Sequence, residues 1–372
     1  MAALRVGITG LIGFVGTHLR DRLAREEDIV VPPFEDEYFD DPAHLRDFVA
    51  NCDVIVHLAA MNRGEPDEIY QVNLELVNKL VSRMEAAAVR PHVIFSSSTQ
   101  IDLDNPYGKS KQEGARRLRA WAEREQAPLS ILIIPNVFGD SGRPYYNSVV
   151  ATFCHQLTHG EQPQVTGDKT LDLIYVQELA EIVLVAIRQP PTGVAEVRVP
   201  ATCQIEVSGI LGLLERFKDY YFDKRIVPRF TNRFEENLYR TFLTYMPDAD
   251  FAQHPTLHAD DRGSLFEVVK QEGAGQVFFS TTRPGITRGN HYHTRKLEKF
   301  CVVQGQALIR MRRIGGGHIK EYRVSGDQPA VVEMPIFHTH NITNIGDTDM
   351  LTLFWTNELF DPEDPDTFYE DV

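Results

Sequence analysis

A glycine-rich turn lies close to the start of the chain, between a short apolar strand and a helix, and it limits the folds that the chain can adopt. The apolar alternation that begins at Leu4 predicts a buried strand, and residues 9–16 (TGLIGFVG) lead from it into the helix. Gly10, Gly13 and Gly16 would let the backbone approach a pyrophosphate, to which the first helical turn offers free N–H groups. The sequence therefore predicts a dinucleotide site at the start of an α/β domain.

The pattern of buried strand followed by helix continues along the first half of the chain. Apolar runs at 52–60, 92–98 and 130–135 predict parallel strands, and an amphipathic pattern at 67–88 predicts a helix between the first two. This alternation is typical of a doubly wound parallel sheet with helical crossovers. Ligands of such sheets bind at the carboxyl ends of the strands, where we expect the functional residues.

Residues suited to acid–base catalysis follow one of these predicted strand ends. Tyr107 and Lys111 lie one turn apart at the start of a predicted helix, so both side chains face the same side. A lysine ammonium beside a phenol lowers the pKa of the phenol. We therefore expect Tyr107 to act as a general acid or base near neutral pH.

The glycine-rich turn, the serine-rich strand end and the Tyr-x-x-x-Lys pair together resemble the extended short-chain dehydrogenase/reductase family, over roughly residues 3–245. The resemblance implies that Tyr107 donates a proton to a carbonyl, and that Lys111 assists it and contacts the nicotinamide ribose. Ser98, with Ser97 as the second choice, would orient the carbonyl. The residues it implies in coenzyme binding are Gly10, Gly13, Phe14, Val15, Gly16, Leu58, Ala59, Ala60, Asn73 and Lys111.

The character of the sequence changes after residue 246, where the first domain (1–246) is expected to end. Residues 247–258 are polar with two prolines and predict a linker. Residues 259–372 contain short alternating runs separated by Gly, Asp and Asn turns, which predict an all-β barrel. The acidic tail from Asp361 is predicted to lie on the surface.

Four residues of the predicted barrel have side chains suited to a metal ion. His291 and His293 are one residue apart on a predicted strand, which places both imidazoles on one face, and Glu298 and His340 follow. Three imidazoles and a carboxylate suit Zn, Mn, Fe or Ni, with zinc as the expected ion.

The spacing of these four residues resembles both motifs of the cupin family of small double-stranded β-barrels. The first motif, G-x5-H-x-H-x4-E-x6-G, runs from Gly285 to Gly305, and the second, P-x-G-x2-H-x3-N, runs from Pro335 to Asn344. Phe337 replaces the glycine of the second motif. The turn at Phe337 is therefore expected to be built differently from the usual one.

The combination of the two domains resembles the bifunctional capsule and O-antigen enzymes, and residues 261–267 resemble the start of the deoxysugar 3,5-epimerases. The resemblance implies that the barrel epimerises C3 of a UDP-2-acetamido-2,6-dideoxy-4-ketohexose. The first domain would then reduce C4 with NADPH, giving a UDP-N-acetyl-6-deoxy-talosamine on the route to UDP-N-acetyl-L-fucosamine. A homodimer is implied as well.

The residues near the expected coenzyme ribose favour NADH instead. Residues 32–41 (PPFEDEYFDD) follow the second predicted strand, near 29–31, and contain no Arg or Lys. The next Arg or Lys in the sequence is Arg46. A 2′-phosphate needs a basic partner, whereas Asp36 suits a free 2′-hydroxyl. The sequence leaves the choice between NADP(H) and NAD(H) open.

Several further residues are candidates for the sugar nucleotide and for the epimerase chemistry. Inversion at C3 needs a base on one face and an acid on the other, and the sequence does not rank the candidates. The candidates for acid and base are His338, Tyr292, Lys296 and Asp261; those for the diphosphate are Arg63, Arg143 and Lys169; those for the sugar pocket are Tyr146 and Asn147.

The composition excludes some other classes of function. A net charge of −15 argues against non-specific nucleic-acid binding, which needs a basic surface. The sequence contains no apolar run of 18 residues and no leader-like start, and its four cysteines form no CxxC pair, so a cytoplasmic protein without membrane spans is expected. Three alternatives stay open: a single-activity reductase with a structural barrel, an enzyme for another nucleotide sugar such as a dTDP-linked one, and a non-catalytic nicotinamide sensor.

Overall fold

The computed structural model describes residues 3–247, 250, 256–335 and 337–372. The chain divides into two compact units, Met1–Glu215 with Asn232–Pro247, and Arg216–Thr231 with Asp248–Val372. The sequence predicts one boundary after residue 246, so the placement of residues 216–231 with the second unit differs from that expectation. Most of the predicted linker (248, 249 and 251–255) lies outside the described residues.

Hydrogen bonds explain why residues 216–231 group with the second unit. The carboxylate of Glu272 accepts hydrogen bonds from Arg216 and from the hydroxyl of Tyr220, each at 2.8 Å. The Val227 N–H also donates to the Lys270 carbonyl at 2.8 Å. These contacts join residues that are 43 to 56 positions apart in the sequence, and no local sequence pattern predicts them.

The first unit alternates strands and helices, as the sequence predicts. Its strands are β1 Leu4–Thr9, β2 Ile29–Val30, β3 Val54–His57, β4 His92–Ser98, β5 Leu129–Ile134, β6 Asn136–Phe138, β7 Thr170–Tyr175, β8 Val194–Arg198 and β9 Cys203–Glu206. The α-helices are α1 Phe14–Leu23, α2 Pro42–Ala50, α3 Pro66–Ala86, α4 Pro106–Glu125, α5 Val149–Thr158, α6 Val176–Arg188, α7 Val207–Lys218 (which runs into the second unit) and α8 Arg233–Leu243. Short 3-10 helices lie at Asp36–Phe39 and Thr99–Asp102, and a π-helical turn lies at Asp219–Lys224.

A six-stranded parallel sheet in the order β2-β1-β3-β4-β5-β8 forms the centre of this unit. Helices α2, α3 and α4 bury Val49, Leu80 and Trp121 on one face, and α1 and α6 bury Leu19 and Leu184 on the other. Burying each of the Val and Leu side chains among them contributes roughly 1.5–3 kcal/mol. The predicted doubly wound fold is confirmed, and the strand order reverses between β1 and β3, which is where this fold binds ligands.

The second unit is built from antiparallel strands, as predicted. They are β10 His258–Asp260, β11 Gly263–Gln271, β12 Gly275–Thr282, β13 Thr287–Tyr292, β14 Glu298–Gln304, β15 Gln306–Arg313, β16 Ile319–Ser325, β17 Val331–Met334, β18 His338–Asn344, β19 Met350–Thr356 and β20 Phe368–Tyr369. Two sheets, β10-β11-β12-β19-β14-β17 and β16-β15-β18-β13-β20, contribute to one core that includes Phe300, Ile309 and Phe354.

Two details of this unit differ from the sequence-based expectations. Phe337 adopts a left-handed conformation (φ 57°), so the turn keeps the backbone shape that glycine would take. Its N–H donates to the His293 carbonyl and its carbonyl accepts from Ile314, and these bonds hold the conformation while the ring stays exposed. The acidic tail lies mostly on the surface as expected, but β20 pairs with β13 and Asp366 is buried.

Candidate active site and metal centre

The glycine-rich turn brings the carboxyl ends of β1 and β3 into close contact. Gly10 has a φ of 70°, and a Cβ there would lie 2.9 Å from the Ala59 nitrogen. A Cβ on Gly16 would lie 2.2 Å from the Gly10 carbonyl oxygen, so α1 can begin this close to the turn only with glycine. Gly13 is the N-cap of α1 and contributes no side-chain cap, which leaves the first N–H groups of the helix accessible to an anion.

Asn73 of α3 binds the backbone of Met61, which directly follows the predicted coenzyme residues after β3. Its amide accepts the Met61 N–H at 2.7 Å and donates to the Met61 carbonyl and to Ser110 Oγ, each at 2.9 Å. Leu58, Ala59 and Ala60 are half-buried beside it. Asn73 therefore joins the strand end to the helix that carries Tyr107, and a contact between Asn73 and a coenzyme stays a prediction.

Local capping sets the start of α4 and hence the position of Tyr107. Pro106 occupies the first turn, and Asn105 Oδ1 accepts the Gly108 N–H at 2.7 Å. The backbone of Gly108 passes so close to Gln100 that a Cβ would lie 2.1 Å from its carbonyl oxygen. This close approach packs the first turn of α4, which carries Tyr107, against the 3-10 helix that follows β4.

Lys111 is fully buried below Tyr107 and does not lower the pKa of the phenol as the sequence suggests. Lys111 Nζ donates to the Ser96 carbonyl at 2.8 Å and lies 5.6 Å from the centroid of the Tyr107 ring. Burial lowers the pKa of Lys111 to about 7 and raises that of Tyr107 to about 12. The expectation is wrong for this structure because desolvation disfavours the charged form of each group.

The shifted pKa of Lys111 predicts a pH-dependent stability. The unfolded chain keeps this proton up to about pH 10.5 and the folded protein only to about pH 7, so the free energy of unfolding rises with pH in this window. Lys111→Met should be more stable than the parent protein at pH 7. The free energy of unfolding of the parent protein should rise by about 3 kcal/mol between pH 7 and pH 9.5, and that of Lys111→Met should not show this rise.

Urea unfolding at both pH values measures this gain. Lys109→Met is the matched control, because Lys109 lies on the same helix but is exposed and paired with Asp104. Equal pH dependence for Lys111→Met and the parent protein would contradict the prediction.

The structure distinguishes between the two candidate serines. Ser98 is half-buried at the end of β4, and its hydroxyl oxygen accepts the Gln100 N–H at 3.2 Å, which leaves its own O–H free to donate. Ser97 is buried and lines a different groove with Ile101 and Gln112. This placement favours Ser98 as the group that orients a carbonyl near Tyr107.

Four of the residues predicted for the sugar nucleotide meet in one place in the first unit. Arg63 donates to the Tyr145 carbonyl at 2.5 Å, and Asn147 Nδ2 donates to the Asn62 carbonyl at 2.9 Å. The guanidinium groups of Arg63 and Arg143 lie 5.6 and 5.3 Å from the centroid of the Tyr146 ring. Lys169 is the fifth residue predicted for the sugar nucleotide, and it contacts another part of the unit, where its backbone carbonyl accepts the Val207 N–H.

The predicted metal ligands of the second unit converge. One nitrogen or oxygen atom from each of His291, His293, Glu298 and His340 lies within 4.8 Å of those of the other three. A bulge at Asn290 (φ 62°) shifts the register of β13 so that His291 pairs with His340 of β18. Glu298, the first residue of β14, lies with its Oε2 at 3.2 Å from His293 Nε2 and at 3.1 Å from His340 Nε2.

The hydrogen bonds around these side chains fit a bound cation. Nδ1 of His293 donates to the Asp366 carbonyl, and Nδ1 of His340 to the His338 carbonyl, so each Nε2 directs a lone pair inward. Among the described residues, His293 Nε2 is a buried atom without a hydrogen-bond partner, although it faces the Glu298 carboxylate. Two facing acceptors repel each other, and a divalent cation between them would remove this repulsion.

The surroundings of the centre lower the pKa values of two predicted ligands, Glu298 and His291. A second proton on His293 or His340 would let Nε2 donate to the Glu298 carboxylate. These hydrogen bonds outweigh burial, which alone would raise the pKa of Glu298, and hold that pKa well below its usual range. Burial lowers the pKa of His291 to about 4. A carboxylate and a neutral imidazole are the protonation states that bind metal.

One of the four candidate acids and bases shares the face of the metal ligands. His338 is half-buried and lies two residues before His340 on β18, so both side chains point to the same side. Tyr292 points to the opposite face and stacks on Phe368, and Lys296 donates to the Pro365 carbonyl. Asp261 is exposed in the β10–β11 turn. Sequence reasoning missed Asp366 altogether, since its tail carries no recognisable pattern.

Family models match both units. The model described as NAD dependent epimerase/dehydratase family matches residues 6–199, and the one described as Polysaccharide biosynthesis C-terminal domain matches residues 258–368. Among the described residues, no helix combines the length and apolar character needed to span a membrane.

Two similar proteins match the chain over nearly its full length. The UDP-2-acetamido-2,6-beta-L-arabino-hexul-4-ose reductase of Pseudomonas aeruginosa is 34% identical over 98% of both chains. The crystal structure of the capsular polysaccharide assembling protein CapF from Staphylococcus aureus superposes with a TM-score of 0.87 at 39% identity, covering 99% of this chain and 100% of that one.

Proposed function

Because this chain belongs to the NAD-dependent epimerase/dehydratase family, with the two-domain arrangement of the CapF-like proteins, we propose that it is a bifunctional nucleotide-sugar enzyme. Its substrate is a UDP-linked 2-acetamido-2,6-dideoxy-4-ketohexose. The barrel epimerises C3 and the first domain reduces C4, giving the UDP-N-acetyl-6-deoxy-talosamine of the UDP-N-acetyl-L-fucosamine route. The observation that carries this proposal is that one chain holds both a Tyr107–Lys111 pair and a four-ligand centre.

The barrel chemistry follows from the acidity of C3. The neighbouring 4-ketone accepts the electron pair as an enolate when the C3 proton leaves, and a proton returned to the other face inverts the centre. His338 is our candidate for one of the two proton-transfer groups, because it lies on the ligand-bearing face of β18. A divalent ion, zinc by its donor set, would be held by His291, His293, Glu298 and His340 and would supply positive charge near the site.

The reduction uses the groups at the end of β4 and the start of α4. A bound nicotinamide coenzyme would supply the hydride for C4, and the N–H groups at the start of α1 would hold its pyrophosphate. Ser98 donates a hydrogen bond to O4 and Tyr107 donates the proton that completes the alcohol. Arg63 and Arg143, beside Tyr146, supply positive charge for the diphosphate. We also infer a homodimer from the family resemblance, which sedimentation velocity tests.

Proton NMR of this 4-keto sugar nucleotide with the enzyme in D2O, first without coenzyme, tests the proposal. Loss of the C3 proton signal, followed by a 4-hydroxy product after coenzyme is added, is the expected result. Reduction with the C3 proton retained would leave a single-activity reductase with a structural barrel. If neither step occurs, a dTDP-linked analogue tests the alternative sugar, and coenzyme binding without turnover of either sugar would favour a nicotinamide sensor.

We expect NADH to be the better coenzyme, against what the family resemblance implies. Glu35, Asp36 and Glu37 are exposed after β2. A 2′-phosphate beside these carboxylates would be repelled, so kcat/KM for NADH should exceed that for NADPH by about 10-fold or more. Asp36→Arg should reverse the preference, and Asp47→Arg, on α2, is the control. An equal or opposite preference in the parent protein would contradict this expectation.

A further inference from the structure

Asp366, in the C-terminal tail, is buried in the second unit and anchored by many hydrogen bonds. Its side chain is 3% exposed and its φ is 41°. The carboxylate accepts the N–H groups of Thr294, Arg295 and Lys296 at 3.1, 3.0 and 2.9 Å, and the Thr294 hydroxyl at 2.6 Å. These three residues directly follow His293 in the sequence.

The same residue contacts the imidazole of His293 through its backbone. The Asp366 carbonyl accepts the Nδ1 proton of His293 at 2.5 Å. A carbonyl can only accept, so this bond keeps a proton on Nδ1, and in the neutral imidazole the lone pair is then on Nε2. That lone pair points to the side of Glu298, 3.2 Å away.

We propose that Asp366 is a positioning residue of the metal centre, an assignment that rests on the metal site proposed above. Its carboxylate binds the 294–296 backbone and thereby holds its own carbonyl against His293. The ring is then fixed in both orientation and tautomer before an ion binds. The tail thus completes a site whose four ligands all come from the barrel strands and their ends.

Neighbouring tail contacts hold the tail without reaching the imidazole. Lys296 Nζ donates to the Pro365 carbonyl at 2.5 Å, and Asp364 forms an exposed ion pair with Arg295 at 2.7 Å. Asp364→Asn removes a contact between tail and barrel but leaves the Asp366 carbonyl in place. It is therefore the matched control for Asp366→Asn.

Zinc affinity of the full chain, measured by competition with a chromophoric chelator, is the first test. Asparagine keeps the shape of aspartate and tolerates a left-handed φ, but its amide group would face backbone N–H donors. Asp366→Asn should raise the Kd for zinc by about 10–100-fold, the usual effect of losing a group that orients a ligand. Asp366→Gly, which adopts this φ without strain, should show a loss at least as large. Asp364→Asn should keep the parent affinity.

The second readout is the tautomer of His293 in the zinc-free protein, from ¹⁵N–¹H correlation spectra of the imidazoles. The parent protein and Asp364→Asn should show His293 protonated on Nδ1, and Asp366→Asn should show a mixture of tautomers. Unchanged zinc affinity in both Asp366 variants would overturn the proposal, as would weaker binding with an unchanged tautomer. If the parent protein itself binds no zinc, the metal site fails, and this assignment fails with it.

Discussion

Substituting Tyr107→Phe is expected to lower the rate of C4 reduction by about 10²–10⁴-fold, the usual contribution of a positioned general acid. Phenylalanine keeps the ring beside Lys111 but removes the proton that the new alkoxide needs. Exchange of the C3 proton should continue at the parent rate, because that step depends on the barrel. Reduction is followed by coenzyme absorbance, and exchange by proton NMR in D2O without coenzyme.

Two comparisons make this result specific to the proton. Tyr70→Phe, on α3, removes a phenol hydroxyl outside the predicted site and should retain full reduction. Coenzyme affinity of Tyr107→Phe, measured by fluorescence titration, should stay close to the parent value, because the glycine-rich turn is unchanged. Reduction at the parent rate in Tyr107→Phe would remove Tyr107 from the active site.

Removing a metal ligand should have the second large effect. Glu298→Gln replaces the carboxylate that faces both His293 and His340 with a neutral amide. We expect the bound metal to fall from one ion per chain to well below one by elemental analysis, because the remaining imidazoles supply no negative charge. If the ion shapes the site, C3 exchange is lost with it, while an already epimerised 4-keto sugar should still be reduced.

Glu333→Gln is the control for this change. Glu333 lies on β17 opposite Lys299 of β14 and forms an exposed ion pair with it. Its substitution should leave both metal content and exchange intact. Full exchange in a metal-free Glu298→Gln protein would mean that the ion has no part in the reaction, and a full metal content would mean that Glu298 is not a ligand.

The agreement between sequence and structure is closest where spacing along one element decides geometry. His291 and His293 are one residue apart at the end of one strand, and Tyr107 and Lys111 are one turn apart on one helix. The period of the element alone predicts that each pair lies together. The glycine-rich turn between β1 and α1 is predictable for a related reason, since the close approach of Gly10 to Ala59 excludes a side chain.

The structure differs from the sequence-based expectations where contacts join residues distant in the sequence, or where burial shifts the pKa of a side chain. The pKa of Lys111 depends on desolvation by strands and helices that the spacing rule ignores. The preference for Ser98 over Ser97 follows from which face of β4 each residue occupies in the folded sheet. The turn at Phe337 keeps its left-handed shape because two backbone hydrogen bonds from distant residues hold it.

Periodicity and short motifs were enough to predict the two fold classes, the glycine-rich turn, the Tyr107–Lys111 pair and the four candidate metal ligands, because each depends on the period of a strand or helix or on a short motif. The folded structure was needed to find that residues 216–231 group with the barrel, that Lys296 binds the tail, and that Asp366 contacts His293. Those contacts depend on hydrogen bonds between residues up to 73 positions apart. Spacing along the chain does not encode such pairs, because they form only when the sheets and the tail are assembled.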